Sequence, residues 1–326
     1  MKYIQLPGSA IQTTPLSFGC GGLYRTSSRA GRQRLLHAAF EAGIRHFDVA
    51  PLYGLGAAEA ELGRFARGRR SKLVLATKFG LEPGKRLSWL VPFQGPARWT
   101  LNMVPSLRGI ARRGISGREQ PAAYSAERAT ASLERSLRAL GTDYVDIFML
   151  HEPILEQILY SDLYPLLERW REAGMIRTFG VAGYYPEVER ISIALPALCR
   201  VVQMGHDAFS GQRLHLAAIP NQAVVTFGPF SSALPSLLAL LREHPAACSE
   251  AARVAGLPSL SPDNVADRLL EESLLRNETG VVIYSSGKSD RIARLARLAE
   301  QPRERLLASA RFLQILKDRF FAKAPP

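Results

Sequence analysis

Short apolar runs alternate with stretches of helical period along most of this 326-residue chain, and no other feature constrains its fold as much. The runs are Leu16–Gly19, Arg45–Asp48, Lys72–Lys78, Tyr144–Leu150, Ile176–Val181, Arg200–Met204, Ala223–Phe227 and Gly280–Tyr284. Helical patterns separate most of them. Arg32–Ala42 carries Leu35, Leu36, Ala39 and Phe40 on one face, and Ala57–Ala66, Ser125–Leu140, Asp162–Ala173 and Pro186–Leu195 follow in turn. Strands alternating with helices build a parallel sheet, because each crossover returns the chain to the same end. Eight such strands predict an α/β fold, a closed (β/α)8 barrel of the TIM type, and the length suits one such domain over residues 1–326. Lys2–Thr14 alternates around Pro7 and Gly8 and reads as a hairpin over one barrel end, while Arg303–Asp318 reads as an extra C-terminal helix.

Two insertions interrupt the rhythm. One spans about residues 80–123, the other about 244–277 with a helix expected over Pro262–Leu275. Within the first, Gly84 to Arg118 holds seven basic residues and no acidic one, together with Trp89, Phe93, Trp99 and Met103. A long loop after a barrel strand lies over the catalytic face, so this stretch reads as a wall or lid of a substrate pocket, or else as a solvated loop packed on the rim. Its cations favour an anionic or lipid-like substrate over a simple sugar, and leave peripheral membrane contact as a lesser expectation.

Composition narrows the classes. With 47% hydrophobic and 22% charged residues the chain is that of a folded globular protein, and it lacks an apolar run long enough to cross a bilayer. A formal charge of +13 suits an anionic partner, yet no nucleic-acid-binding motif accompanies it. Cys20, Cys199 and Cys248 are scattered and odd in number, which predicts reduced thiols and, with no apolar leader after Met1, a cytoplasmic location.

Polar residues at the carboxyl ends of successive strands carry the chemistry. Asp48, Lys78 and His151 each close an apolar run, and Tyr53 lies five residues beyond Asp48. A tyrosine keeps its proton at neutral pH, and a nearby ammonium stabilises the phenolate left when that proton departs. Lys78 is the candidate for that charge, Asp48 for holding Lys78, and His151 for donating to a substrate carbonyl or sharing a proton with Tyr53. Each residue alone has a plainer explanation, as a solvated strand end or a packed loop aromatic; the joint pattern is what points to catalysis. No side chain supplies a hydride, so a nicotinamide cofactor is implied. Gly54-Leu-Gly56 lacks the third glycine of a dinucleotide fingerprint, which argues against a Rossmann fold.

The run Phe47-Asp-Val-Ala-Pro-Leu-Tyr-Gly-Leu-Gly-Ala-Ala-Glu-Ala-Glu-Leu-Gly63 resembles the signature of the aldo-keto reductase family. The resemblance continues through Ala76-Thr-Lys-Phe79, through the block from Ser132 to His151, and through Gly174-Met-Ile-Arg-Thr-Phe-Gly-Val181. It implies a (β/α)8 barrel, an NADPH-dependent reaction (NADH not excluded) on a small carbonyl or alcohol substrate, and Asp48, Tyr53, Lys78 and His151 as the catalytic tetrad. It also implies that Gln203 and Phe227 hold the nicotinamide and that Ser286 and Arg291 hold the adenosine phosphate. The chain departs from the family where Ala182-Gly183 replaces a Ser-Asn pair, where Ser285 replaces a lysine found in some members (with Lys288 nearby to compensate), and where Arg294-Leu295 replaces Glu-Asn. A cofactor-binding, redox-sensing or partner-binding barrel without turnover is the alternative, and an isomerase or lyase needing no nicotinamide is a third reading.

Overall fold

The computed structural model describes residues 1–81, 124–209, 222–258, 260–262 and 264–321. Most of the basic loop therefore lies outside the described residues. Eight parallel strands close into a barrel: β3 (Leu16–Gly19), β4 (His46–Asp48), β5 (Val74–Phe79), β6 (Val145–His151), β7 (Ile176–Gly183), β8 (Val201–Gly205), β9 (Ala223–Phe227) and β10 (Val281–Tyr284), with β10 pairing back onto β3. The expected N-terminal hairpin is present as β1 (Ile4–Gln5) paired antiparallel to β2 (Gln12–Thr13). Its Leu6 and Ile11 are fully buried with Val74, Ile147, Val201, Ala223 and Val281, at the amino ends of the strands, and close that end of the barrel.

The helices are α1 (Arg29–Glu41), α2 (Ala58–Ala66), α3 (Ala126–Leu140), α4 (Leu155–Ile158), α5 (Leu163–Glu172), α6 (Tyr185–Ala194), α7 (Ala233–Glu243), α8 (Pro245–Val254), α9 (Val265–Arg276), α10 (Ser289–Ala296) and α11 (Arg303–Phe320). Local chemistry sets their limits. In α3, the Ser125 side chain accepts from the Arg128 backbone N–H at the start, and Gly141 at φ 65° stops it in the left-handed region, where a side chain is disfavoured. Between those caps Ala129, Leu133 and Leu140 are buried, the face that packs on the barrel. The C-terminal α11 packs with α7, α8 and α9 around Leu237, Cys248, Leu269, Phe312 and Leu316, a second small core beside the barrel.

Strand periodicity separates two layers. Phe47, Leu75, Phe79, Phe148, Leu150, Val181, Val202 and Met204 face outward into the helix-packed core. Their neighbours Val74, Ala76, Ile147, Met149, Ala182, Val201, Val225 and Ile283 fill the barrel interior. Successive side chains on a strand point to opposite faces. Asp48, Lys78, His151, Gln203 and Phe227 therefore share the inward parity, one step beyond the last interior layer.

Candidate active site

A cavity of about 640 Å³ opens at the carboxyl ends of the strands. Its wall includes Asp48, Tyr53, Lys78 and His151 on one side and Ala182, Gly183, Gln203, Phe227 and Ser285 on the other. The structure thus brings together six of the eight site residues expected from the sequence. Ser286 and Arg291 lie beyond the wall. The Ser286 hydroxyl accepts from the Lys288 backbone N–H at 3.2 Å, and Arg291 is exposed in the first turn of α10.

The centre of the site is a buried ion pair. Lys78 and Asp48 are 1% and 2% exposed, and Lys78 Nζ donates to Asp48 Oδ2 at 2.6 Å and to the Val49 carbonyl at 3.1 Å. Burial alone would strip the ammonium of its proton, but the carboxylate of Asp48, with Tyr53 beside it, holds Lys78 above its ordinary value. Burial pushes the Asp48 carboxyl upward while Lys78 opposes it, so we take the pair as ammonium and carboxylate. Removing either partner would leave an uncompensated charge in a dry place.

Tyr53 begins a single turn, Tyr53–Gly56, in which Gly54 has φ 59°. A Cβ on Gly54 would fall 2.6 Å from the Tyr24 ring, so the turn that presents Tyr53 needs glycine there on both backbone and packing grounds. The Lys78 ammonium sits 5.3 Å from the Tyr53 ring centroid, and the His151 ring meets Tyr53 edge-on at 6.1 Å. Burial raises the phenol above its ordinary value, and the charge of Lys78 offsets only part of this. The sequence reading emphasised the acidifying effect of Lys78; in the folded site desolvation outweighs it. Tyr53 is therefore a proton carrier at neutral pH, with a cation placed to stabilise its conjugate base.

His151 is neutral. Burial first, and Lys78 second, depress its imidazole to about 3. The Tyr124 hydroxyl fixes the backbone at this point by donating to the His151 carbonyl at 2.6 Å, and His151 Nδ1 is buried without a partner. A second orphan lies opposite: Gln203 Oε1 is buried and unpaired, while the side-chain amide of Gln203 hydrogen-bonds Asp48. An acceptor stranded at the wall of a cavity is costly unless a ligand completes it. A carboxamide N–H on a flat ring lying along Phe227 has the chemistry to do so, and the residues present fit a nicotinamide in that respect.

Sequence reasoning missed two charged residues of the wall, Arg25 and Glu152. Glu152 follows His151 directly and has φ 56°, a left-handed conformation that is rare for a residue with a side chain. Its N–H donates to the Ala182 carbonyl at 2.6 Å. Its position just after a strand end was the available signal. Arg25 ends the one-turn segment Cys20–Arg25 and carried no sequence signal. Arg294, at the position where the sequence departs from the resembled Glu-Asn pair, is engaged with Asp267 at 3.3 Å.

Comparison with known proteins identifies the family and the fold. A model of the aldo/keto reductase family matches residues 15–210, more than half of the chain. D-threo-aldose 1-dehydrogenase of Pseudomonas sp is 31% identical over 164 residues, covering 49% of this chain and 46% of that protein. The NADP(+) aldo-keto reductase Yakc of Schizosaccharomyces pombe is 31% identical over 204 residues, covering 60% and 49%. The chain spans about half the length of the curated relatives it matches. The holo form of an aldo-keto reductase from Bacillus halodurans superposes with a TM-score of 0.68 at 21% identity, covering 95% of this chain and 96% of that one.

Proposed function

Because the chain belongs to the aldo/keto reductase family, we propose that it is a nicotinamide-dependent oxidoreductase interconverting an aldehyde or ketone with its alcohol, on a single barrel domain. The observation that carries this reading is the buried Lys78–Asp48 pair set against the rings of Tyr53 and His151. The yeast relative is named for NADP(+), which supports NADPH as the cofactor. So does Arg291, whose planar charged fork suits a 2′-phosphate from its place on α10, with Ser286 beside it. Gln203 and Phe227 would hold the nicotinamide.

The bound cofactor supplies the hydride; the chain manages the proton. Neutral His151, its ring edge-on to Tyr53, orients the carbonyl oxygen toward that phenol. Tyr53 releases its proton to that oxygen as negative charge builds there, and in the opposite direction recovers it from the alcohol. Lys78 stabilises the phenolate during this exchange, and Asp48 keeps Lys78 charged and in place. Leu52 and Phe230 give the cavity part of an apolar lining.

Tyr53→Phe tests the reading. Carbonyl-dependent oxidation of NADPH is expected to fall by about a thousandfold, within the range for a lost general acid, with circular dichroism and NADPH binding unchanged. Undiminished turnover would remove Tyr53 from the chemistry. Ala182 and Gly183 offer a nicotinamide no polar side chain, which favours a second reading: a barrel that binds the cofactor as a sensor. NADPH binding with no oxidation across a broad carbonyl panel would select it.

A further inference from the structure

Two carboxylates line the described part of the cavity, and they are held differently. Asp48 is locked to Lys78. Glu152 makes no side-chain hydrogen bond or ion pair among the described residues. The neighbouring strand offers it nothing either. His151 pairs with Ala182, and the next residue of β7 is Gly183. Glu152 is exposed on the cavity wall, yet the desolvation it does suffer lifts its carboxyl above the ordinary value, with no cation opposing.

The backbone that carries this carboxylate is fixed on both sides of one peptide. The N–H of Glu152 donates to the Ala182 carbonyl at 2.6 Å, and the carbonyl of the same peptide, that of His151, accepts from Tyr124 Oη at 2.6 Å. Glu152 itself has φ 56°. Among the described residues only Leu55 shares a positive φ without being glycine, and Leu55 lies in the turn that presents Tyr53. A side chain is disfavoured in this region, and Pro153 restricts the residue before it further. Elsewhere the described chain meets positive φ with glycine, as at Gly54 and Gly141. A tight turn alone would be served better by glycine here as well. The strain is tolerated because the peptide is clamped, and what it secures is a carboxylate beside the imidazole.

We propose that Glu152 is a specificity-determining residue: it accepts hydrogen bonds from a donor group on the carbonyl substrate, a hydroxyl or an ammonium, and turns away anionic carbonyl compounds. This rests on the reductase reading above and names the substrate class for the same site. A carboxylate only accepts, so its complement must donate. An acceptor left unmatched by a substrate that lacks the donor is the strongest basis for discrimination between similar molecules. His151 and Glu152 share one clamped peptide, so the donor group must lie a short, fixed reach from the carbonyl oxygen. The cations of residues 84–118, which suggested an anionic substrate, lie outside the described residues; the charge joined directly to His151 is negative.

The test uses the full chain with NADPH and a matched set of probes: propanal without a donor, glyceraldehyde with hydroxyls, aminopropanal with an ammonium, and succinate semialdehyde with a carboxylate. The protein is expected to prefer glyceraldehyde or aminopropanal to propanal in kcat/KM and to disfavour succinate semialdehyde; whichever of the first two leads identifies the donor. In Glu152→Gln the leading preference over propanal should fall about tenfold, mainly through KM, the scale of a hydrogen bond to a charged group, and succinate semialdehyde should gain. Glu152→Gly removes the carboxylate and the backbone strain together, so the preference should be lost while the thermal unfolding midpoint holds or rises. A glutamate kept only for structure would leave the ratios among the probes in place. Ratios unchanged in both variants, or a preference of the unaltered protein for succinate semialdehyde, overturns the proposal. If the reductase reading fails instead, no probe supports oxidation of NADPH, and saturation-transfer NMR reads binding directly. A donor preference that Glu152→Gln abolishes then upholds the role of the carboxylate, and its absence overturns it.

Discussion

On the β4–β6 side of the cavity the buried charges are already satisfied: Lys78 and Asp48 are locked together 2.6 Å apart, and Tyr124 pins the backbone of His151. On the β7–β10 side polar groups stand unpaired or bare: Gln203 Oε1 is an orphan, and Ala182 and Gly183 end their strand without polar side chains. The first side is preorganised by the fold; the second is completed by what binds. A proton-transfer centre gains from dipoles and charges fixed before reaction. A ligand-binding half gains from leaving hydrogen-bonding capacity for the ligand to fill.

This contrast predicts where mutations hurt. Lys78→Met should have the largest effect, destabilising the fold by about 3–5 kcal/mol because Asp48 is left buried and unpaired, and chemical denaturation would measure it. A loss below ~1 kcal/mol, the range of an exposed pair, would show that the ion pair is not the preorganised element described here. Next comes acid. Both His46 and His151 are held neutral by burial, each depressed from 6.5 to about 3. Between those limits the unfolded chain binds the extra protons. Stability is therefore full above pH 6.5 and falls as the pH drops toward 3, with the steepness set by the protons the unfolded chain takes up at both sites. Denaturant midpoints against pH would show the slope, and His46→Asn should flatten it.

Smaller effects belong to the open side. Arg291→Ala should weaken NADPH binding about tenfold, as expected for a charge-assisted contact, and leave NADH untouched; equal losses for both would remove Arg291 from the 2′-phosphate. Gln203→Ala should raise the Kd for NADPH about fivefold, the worth of one neutral hydrogen bond, and should cost about 1–2 kcal/mol of stability through its lost hydrogen bond to Asp48. A stability loss as large as that of Lys78→Met would erase the distinction between the two sides.

Much of the barrel was legible because strand parity is a local signal. The inward step shared by Asp48, Lys78, His151, Gln203 and Phe227 follows from counting along apolar runs. Boundaries were less so. The run expected from Lys72 begins at Val74, since Arg70–Lys72 forms a short turn. Helix α1 starts at Arg29, not Arg32, because the Ser28 side chain caps it by accepting from the Gly31 N–H. Helices α7 and α8 were not anticipated; their prolines, Pro235 and Pro245, each fall in a first turn, where no N–H partner is lost. Within the site, Glu152 escaped notice because its backbone contact is with Ala182, distant in sequence.

The hairpin packed among the amino ends of the strands separates two duties along the cylinder. Leu6 and Ile11 fill that end by apolar contact alone, while the cavity and its polar residues lie among the carboxyl ends. The stopper can therefore be rebuilt without touching any group that would meet a ligand.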